Sequence, residues 1–319
     1  MKKILIIRFS SIGDIVLTTP VIRCIKEQKP ETEIHYLTKK TFKGILENNP
    51  HLSKIHCIEK NVSEIITELK NEKFDFVIDL HGNLRSSQVK INLGKTSYSF
   101  KKLNFKKWML VNFKINKMPA MHIVDRYMQT IEKLGVKNDG KGLDYFIPKN
   151  DEIKTTSLPI THQNGYIAFV IGAKHFTKQL PTEKIISICR KINQPIILLG
   201  GKEDSERANV IENTIGAAIY NACGKYNLNQ SASLIQQATK IITHDTGLMH
   251  IAASFKKKII SVWGSTVPAF GFTPYLPDPK SKMVEVKNLS CRPCSKIGYD
   301  KCPKGHFKCM NEIDEMAFL

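Results

Sequence analysis

Strand-length apolar runs that stop at Gly or small polar residues and pass directly into helical patterns recur along the whole chain, and this alternation is the tightest constraint on its fold. Lys3–Phe9 (KILIIRF) is apolar enough to lie between two layers of helix. Further strands are expected at Glu33–Thr38, around Ile55–Ile58 and at Phe74–Leu80, with helical patterns between them, notably Ser63–Lys70. His122–Leu134 reads as the helix that closes this half. Lys149–Gly165 is polar, holds Pro159 and lacks apolar periodicity, so it reads as a linker. The pattern then restarts with strand Tyr166–Ile171, helix Thr182–Ile192, strand Ile196–Leu199, and helices Glu203–Ile215 and Leu228–Ala238. A strand ending at Thr243 and another at Ile259–Trp263 follow.

Strand alternating with helix predicts an α/β protein with doubly wound parallel sheets. Two such halves predict two Rossmann-like domains facing a cleft, residues 1–158 and 159–319, with a hinge near residues 150–165. The C-terminal segment is expected to return to the first domain, and closure to bring Asp14 toward Asp245.

Open sheets of this kind bind ligands at the carboxyl ends of their strands, so the strand-to-helix joints hold the candidate residues. The most informative is Ile241–Ala253 (IITHDTGLMHIAA), where a strand stops at His244-Asp245-Thr246-Gly247 and a helix begins. Free N–H groups at the positive end of a helix dipole bind phosphate. An Asp or Thr cap without a ligand is the alternative for this joint, and an ordinary helix residue is the alternative for His250. After the first strand comes Ser10-Ser11-Ile12-Gly13-Asp14, which sets Asp14 in a strand-to-helix crevice as a functional carboxylate or a capping one. Thr19 is expected to cap the next helix with Pro20 as its first residue. After Asp79 the chain reads LHGNLRSS, where Arg85 meets an anionic substrate or is simply solvated. Gly172–Lys178 offers Lys178 as a flexible point charge for phosphate. Gly200-Gly201-Lys202-Glu203-Asp204 offers Glu203 to ribose hydroxyls or to a helix cap. The ends at Gly172, Gly200 and Asp245 are expected to converge on one nucleotide.

The excess of 48 Lys and Arg over 29 Asp and Glu, a formal charge of +19, suits phosphate-rich partners without choosing among them. Lys95–Lys117 interleaves this basicity with Tyr98, Phe100, Phe105, Trp108 and Phe113, as a surface for lipid head groups or acidic sugar, or as a half-buried loop with its lysines in water. No apolar run reaches membrane-spanning length, and Arg8 and Asp14 interrupt the N-terminal apolar segment, so a cytoplasmic protein with reduced cysteines is expected. A basic nucleic-acid binder with a C-terminal zinc knuckle would fit the charge and is the less favoured alternative, but it would concentrate that charge in one stripe or module, so no nucleic-acid partner is expected. The absence of G-x-G-x-x-G after the first strand argues against a nicotinamide or flavin enzyme, and Gly135–Gly142 follows a helix where a P-loop follows a strand. With no Asp-x-Asp pair, a diphosphate would be held by side-chain cations and helix N-termini, with no cofactor. Cys291, Cys294, Cys302, His306 and Cys309 have spacing compatible with tetrahedral zinc, but small buried residues in an irregular tail are the favoured reading and no metal is expected.

RFSSIGDIVLTTP (Arg8–Pro20), GAKHFTKQLP (Gly172–Pro181), LLGGKED (Leu198–Asp204), THDTGLMHIAA (Thr243–Ala253) and the Cys-rich end together resemble glycosyltransferase family 9, the lipopolysaccharide heptosyltransferases. The resemblance runs through nearly the whole chain. It implies a GT-B fold and metal-independent, inverting transfer of heptose from ADP-heptose to a lipid-linked saccharide, the growing lipopolysaccharide core. It also implies work at the cytoplasmic membrane face, peripheral on an anionic surface. By that resemblance Asp14 is the base, Lys178, Asp245, Thr246, Gly247 and His250 hold the donor diphosphate and sugar, and Glu203 meets the adenosine. Many members carry Arg-Trp where this chain has Gln179-Leu180, which leaves room for another nucleotide sugar and another cell-surface glycan.

Overall fold

The computed structural model describes residues 2–319. They divide into two compact units, residues 2–102 with 121–146, and residues 103–120 with 147–319. The first unit runs β1 (Lys3–Ile7), α1 (Ile12–Val16), α2 (Thr19–Gln28), β2 (Glu33–Lys39), β3 (Lys54–Ile58), α3 (Ile66–Asn71), β4 (Phe76–Asp79), α4 (Leu84–Leu93) and β5 (Thr96–Ser99). Helix α5 (Asn104–Phe113) belongs to the second unit, and α6 (Ile123–Met128) returns to the first. The second unit continues with β6 (Ile167–Val170), α7 (Thr182–Lys191), β7 (Ile196–Leu199), α8 (Ser205–Ile215), β8 (Ile219–Asn221) and α9 (Leu228–Gln237). It ends with β9 (Lys240–His244), α10 (Gly247–Ser254), β10 (Ile259–Trp263), β11 (Lys282–Glu285) and α11 (Lys308–Asn311).

Both sheets are wholly parallel and share one strand order. The first is β3-β2-β1-β4-β5, and the second, read from its other edge, is β8-β7-β6-β9-β10-β11. In each, the order reverses direction beside the unit's first strand, between β1 and β4 and between β6 and β9. Such a switch point opens a crevice beyond the strand ends because the flanking helices leave on opposite faces. Register makes the joints neighbours: Ile7 lies opposite Asp79, and Val170 lies opposite Thr243.

The central strands form because they are buried on both faces. Ile4–Ile7 of β1 and all four residues of β6 and β7 are buried, and one face of the second sheet, with Ile167, Phe169, Ile196 and Leu198, packs against Ile185, Ile188, Ala208 and Ile211 from α7 and α8. In the first unit Val21, Ile22 and Ile25 of α2 are buried, and the same helix buries Arg23. Arg23 spans Asp139 (2.8 and 2.9 Å), Asp144 and the Gly142 carbonyl, which pins the closing segment of this unit to α2. The helix starts one residue earlier than expected, with Thr18 at the cap and Thr19 ahead of Pro20. Thr19 instead spends its hydroxyl on the Val16 carbonyl and accepts from the Asp144 amide.

Four features of the organisation differ from the sequence expectation. The division falls at 146/147, ahead of the expected 158/159, because the residues that follow already bond within the second unit: Ile153 N–H donates to Ser233 and Asp151 accepts from Asn227 and Asn229. The C-terminal tail also stays with the second unit, with Phe318 buried in its core and Glu315 paired with Lys184 and Lys191. The segment that does leave the first half is residues 103–120, carrying α5. His122–Leu134 is no continuous helix, since α6 ends at Met128 and only a 3-10 turn, Glu132–Leu134, follows.

Candidate active site

The second unit's switch point gathers the residues singled out after β6, β7 and β9. Beyond β6 the chain turns through a 3-10 segment, Phe176–Lys178, which delivers Lys178 to Asp245 beyond β9. The ammonium lies 2.6 Å from Asp245 Oδ2, with both side chains about 15% exposed. The same oxygen accepts from the Thr266 hydroxyl at 2.9 Å. Thr246 is the N-cap of α10, held extended at φ −138° and ψ 173°, without a side-chain capping bond. Its Oγ1 is buried and has no partner among the described residues. Gly247 begins the helix and His250, one turn in, is buried. The start of α10, with a lysine, a carboxylate and an unspent hydroxyl beside it, has the chemistry to take an anion and sugar hydroxyls.

His244 fixes the two halves of this arrangement to each other. Its Nε2 accepts the Leu180 amide at 3.0 Å, two residues beyond Lys178. The ring is therefore the neutral Nδ1–H tautomer, and burial, reinforced by Arg207, pushes its pKa down to about 3. Beyond β7, Gly172 and Gly200 make room for the buried Asp204, whose Oδ2 accepts the Gly201 N–H at 2.9 Å, and a Cβ on Gly200 would sit 2.7 Å from that oxygen. Glu203 next to it is exposed, so of the two acids Asp204 has the capping role and Glu203 is left facing solvent. Gln179 is engaged by Arg207 from α8: the guanidinium NH1 donates to Gln179 Oε1 at 2.7 Å and NH2 to the Ile171 carbonyl at 3.2 Å. Arg207 Nε is buried without a hydrogen-bond partner among the described residues.

The first unit's switch point carries Asp14. It occupies the third position of α1 and accepts from the Ser11 hydroxyl at 2.8 Å and the Ser11 N–H at 3.2 Å, so the capping role is real. Its other oxygen meets Arg8 NH2 at 2.8 Å. Arg8 is buried and donates also to the carbonyls of Ser10 (2.7 Å) and Leu80 (2.6 Å) and to the Tyr127 hydroxyl (2.9 Å). Burial alone would lower its pKa, but Asp14 and the Tyr127 phenol hold it above its ordinary value. His81, beyond β4, presents a buried Nδ1 without a hydrogen-bond partner among the described residues. Its pKa falls to about 4 through burial and the nearby Arg8 and Lys102. Arg85 stands exposed on the first turn of α4.

His81, Arg207 and the orienting roles of Arg8 and His244 were not singled out by the sequence. Arg8 gave a signal, since a cation in the last position of a buried apolar run must be paired. Arg207 gave none. The Cys291, Cys294, Cys302, His306 and Cys309 set does not bring three donor atoms within 4.8 Å of one another among the described residues; the group that does is His35, His56 and Glu72. That group is self-satisfied, with His35 Nδ1 bonded to His56 Nε2 at 2.9 Å and Glu72 held by Lys54 (2.7 Å) and Lys3 (3.0 Å). The Cys-rich tail instead braces the Lys178 loop: Thr177 N–H donates to the Tyr299 carbonyl at 3.0 Å, and Arg292 donates to the Gly264, Trp263 and Thr266 carbonyls.

The model of glycosyltransferase family 9 (heptosyltransferase) matches residues 62–302. Lipopolysaccharide heptosyltransferase 1 of Campylobacter coli is 26% identical over 291 residues, covering 83% of this chain and 84% of its own. The glycosyl transferase family 9 structure from Veillonella parvula superposes with a TM-score of 0.74 at 22% identity, over 88% of this chain and 85% of its own. The structure of E. coli ADP-heptose lps heptosyltransferase II gives a TM-score of 0.70 at 20% identity, covering 98% of each chain. These likenesses identify the fold as the two-domain GT-B type, as expected from the motifs.

Proposed function

Because the chain belongs to glycosyltransferase family 9, we propose that it moves heptose from ADP-heptose to the lipopolysaccharide inner core by a single inverting displacement. The observation that carries this reading is the anion site at the β6/β9 switch point, where Lys178, Asp245, Thr246 and Gly247 meet at the start of α10. In the proposed mechanism Lys178 and the α10 N-terminus take up the charge that develops on the departing diphosphate. Asp245 and His250 hold sugar hydroxyls, Glu203 meets the ribose, and Arg85 meets the anionic acceptor. Asp14 removes the proton of the attacking hydroxyl. Its bonds to Arg8 and Ser11 stabilise the carboxylate and make it a weak base. A weak base suffices where proton removal lags behind leaving-group departure in an oxocarbenium-like transition state. No metal takes part. The lipid-linked acceptor would be met at the cytoplasmic membrane face by a peripheral protein, and no helix of the described residues is long and apolar enough to cross a membrane.

Transfer from another nucleotide sugar to a cell-surface glycan is the second reading, favoured by Gln179-Leu180: Leu180 is buried and Gln179 is occupied by Arg207. Heat stabilisation against a panel of nucleotide sugars separates the two, because a ligand that binds the folded state raises the melting temperature. ADP-heptose is expected to give the largest rise. A rise with a uridine or guanosine sugar and none with ADP-heptose would reject the donor assignment.

A further inference from the structure

Helix α5 exposes what a soluble helix ordinarily buries. Phe105 is 69%, Trp108 44%, Phe113 59% and the following Ile115 45% exposed, while Leu110 on the opposite face is buried. These rings are not scattered singly over the surface. Phe105 stacks on Trp108 with ring centroids 5.9 Å apart, and Trp108 meets Phe113 edge-on at 5.2 Å, so they form one continuous apolar patch. The helix is held in place from behind. Lys107 lies 4.7 Å over the Phe272 ring, and Lys114 donates to the carbonyls of Val111 (2.6 Å) and Pro293 (2.8 Å). The patch is therefore presented on a braced element.

Charge decides what can cover it. From His81 to Val124 the sequence contains nine Lys and Arg and no Asp or Glu. Within residues 103–120, the part of the second unit that carries α5, Lys106, Lys107, Lys114 and Lys117 stand without a single acid. A two-fold contact with a second copy would set these lysines against themselves, which like-charge repulsion opposes. Single-stranded nucleic acid is held in a basic groove whose rings stack on its bases, whereas these rings project from one exposed helix face. Aromatic side chains that partition into the head-group region, rimmed by lysines, fit an anionic bilayer.

We propose that the outward face of α5, through Phe105, Trp108 and Phe113 with Lys106 and Lys117 at its rim, docks the protein on anionic phospholipid head groups. This deepens the peripheral-membrane part of the proposed function by naming the element that makes contact. The chain has two tryptophans, and Trp263 is 1% exposed, so a lipid-induced change in tryptophan emission reports Trp108. Vesicles containing phosphatidylglycerol are expected to shift that emission to the blue and to co-float the full-length protein, whereas phosphatidylcholine vesicles are not. Phe105→Ser with Phe113→Ser, and separately Lys106→Glu with Lys117→Glu, are expected to weaken partition at least about tenfold. Both variants are expected to keep their melting temperature and their transfer to a delipidated, soluble saccharide acceptor. No emission shift with anionic vesicles, or an equal shift with zwitterionic ones, overturns the docking surface. So does burial of Trp108 by self-association or by a single-stranded oligonucleotide in the absence of lipid. Loss of transfer with vesicle binding intact would instead count against the enzymatic reading alone.

Discussion

Lys178→Ala tests the anion site with a magnitude that follows from its geometry. The ammonium sits 2.6 Å from Asp245 Oδ2, so it must partly leave that carboxylate to reach a diphosphate, and the contact it gains is net of the one it loosens. A charge-assisted contact of this kind contributes about 1.5–3 kcal/mol. Truncation has a second effect, because it leaves Asp245 with only the Thr266 hydroxyl among the contacts described above, and without its counter-charge. A bare carboxylate about 6 Å from one phosphate charge costs about 2–3 kcal/mol at an effective dielectric constant of about 20. Together these predict a loss of roughly 3 × 10²- to 2 × 10⁴-fold in ADP affinity, at about 1.4 kcal/mol per factor of ten. The two effects separate in a double-mutant cycle. Asp245→Asn in the Lys178→Ala background removes the repulsion and is expected to leave only the lost contact, a deficit of roughly 10–10²-fold against the parent. Calorimetric titration with ADP, at low and at high salt, measures all four proteins. Unchanged affinity in Lys178→Ala would place the phosphates elsewhere, and a double variant as weak as the single one would refute the repulsion argument.

Asp14→Asn should leave ADP binding intact, lower turnover about 10²–10⁴-fold as expected of a lost general base, and cost about 1–3 kcal/mol of stability because it weakens the Arg8 pair. Melting temperature and transfer rate on one preparation check this, and near-normal turnover in a destabilised protein would make Asp14 a cap alone. Stability should fall in acid: His244 (about 3), His35 and His81 (both about 4) all have folded pKa values below the usual 6.5. Their neutral forms support the fold fully above about pH 6.5, and the support is lost as pH falls toward the folded values, by up to about 1.4 kcal/mol per pH unit for each ring. Urea midpoints across the acid range measure the slope, and His244→Gln, which keeps an acceptor for the Leu180 amide without titrating, should flatten it. Gly200→Ala should destabilise by about 1–3 kcal/mol through overpacking, since its Cβ would lie 2.7 Å from Asp204 Oδ2, and a melting temperature equal to the parent's would refute that packing argument.

The central strands β1, β6, β7 and β10 were legible in the sequence because burial on both faces demands mostly apolar runs. The edge strands β5 (Thr96–Ser99), β8 (Ile219–Asn221) and β11 (Lys282–Glu285) were not, because one side of each meets solvent and the run is three or four mixed residues long. Helix α5 escaped notice for a related reason: its aromatics face outward, so its pattern reads as a basic loop rather than as a packed stripe. The candidate residues Asp14, Lys178, Glu203 and Asp245 could be picked out because each follows a recognisable strand, but their grouping depends on strand order, which sequence spacing does not encode. Lys178 and Asp245 meet across 67 positions only because β6 lies beside β9.

The same order, repeated in both units, puts a cation and an acid at each switch point, and the two pairs differ in what fixes the cation. Arg8 spends its guanidinium on Ser10, Leu80 and Tyr127 as well as on Asp14, so it cannot leave without stranding buried groups, and it acts as a fixed mount for the carboxylate. The Lys178 ammonium bonds only Asp245 among the described residues, on a flexible stem. A mount suits a residue that must present one oxygen to an incoming hydroxyl. In the proposed mechanism a releasable cation suits Lys178, which is expected to follow a diphosphate as its charge grows and to return to Asp245 once the diphosphate has left.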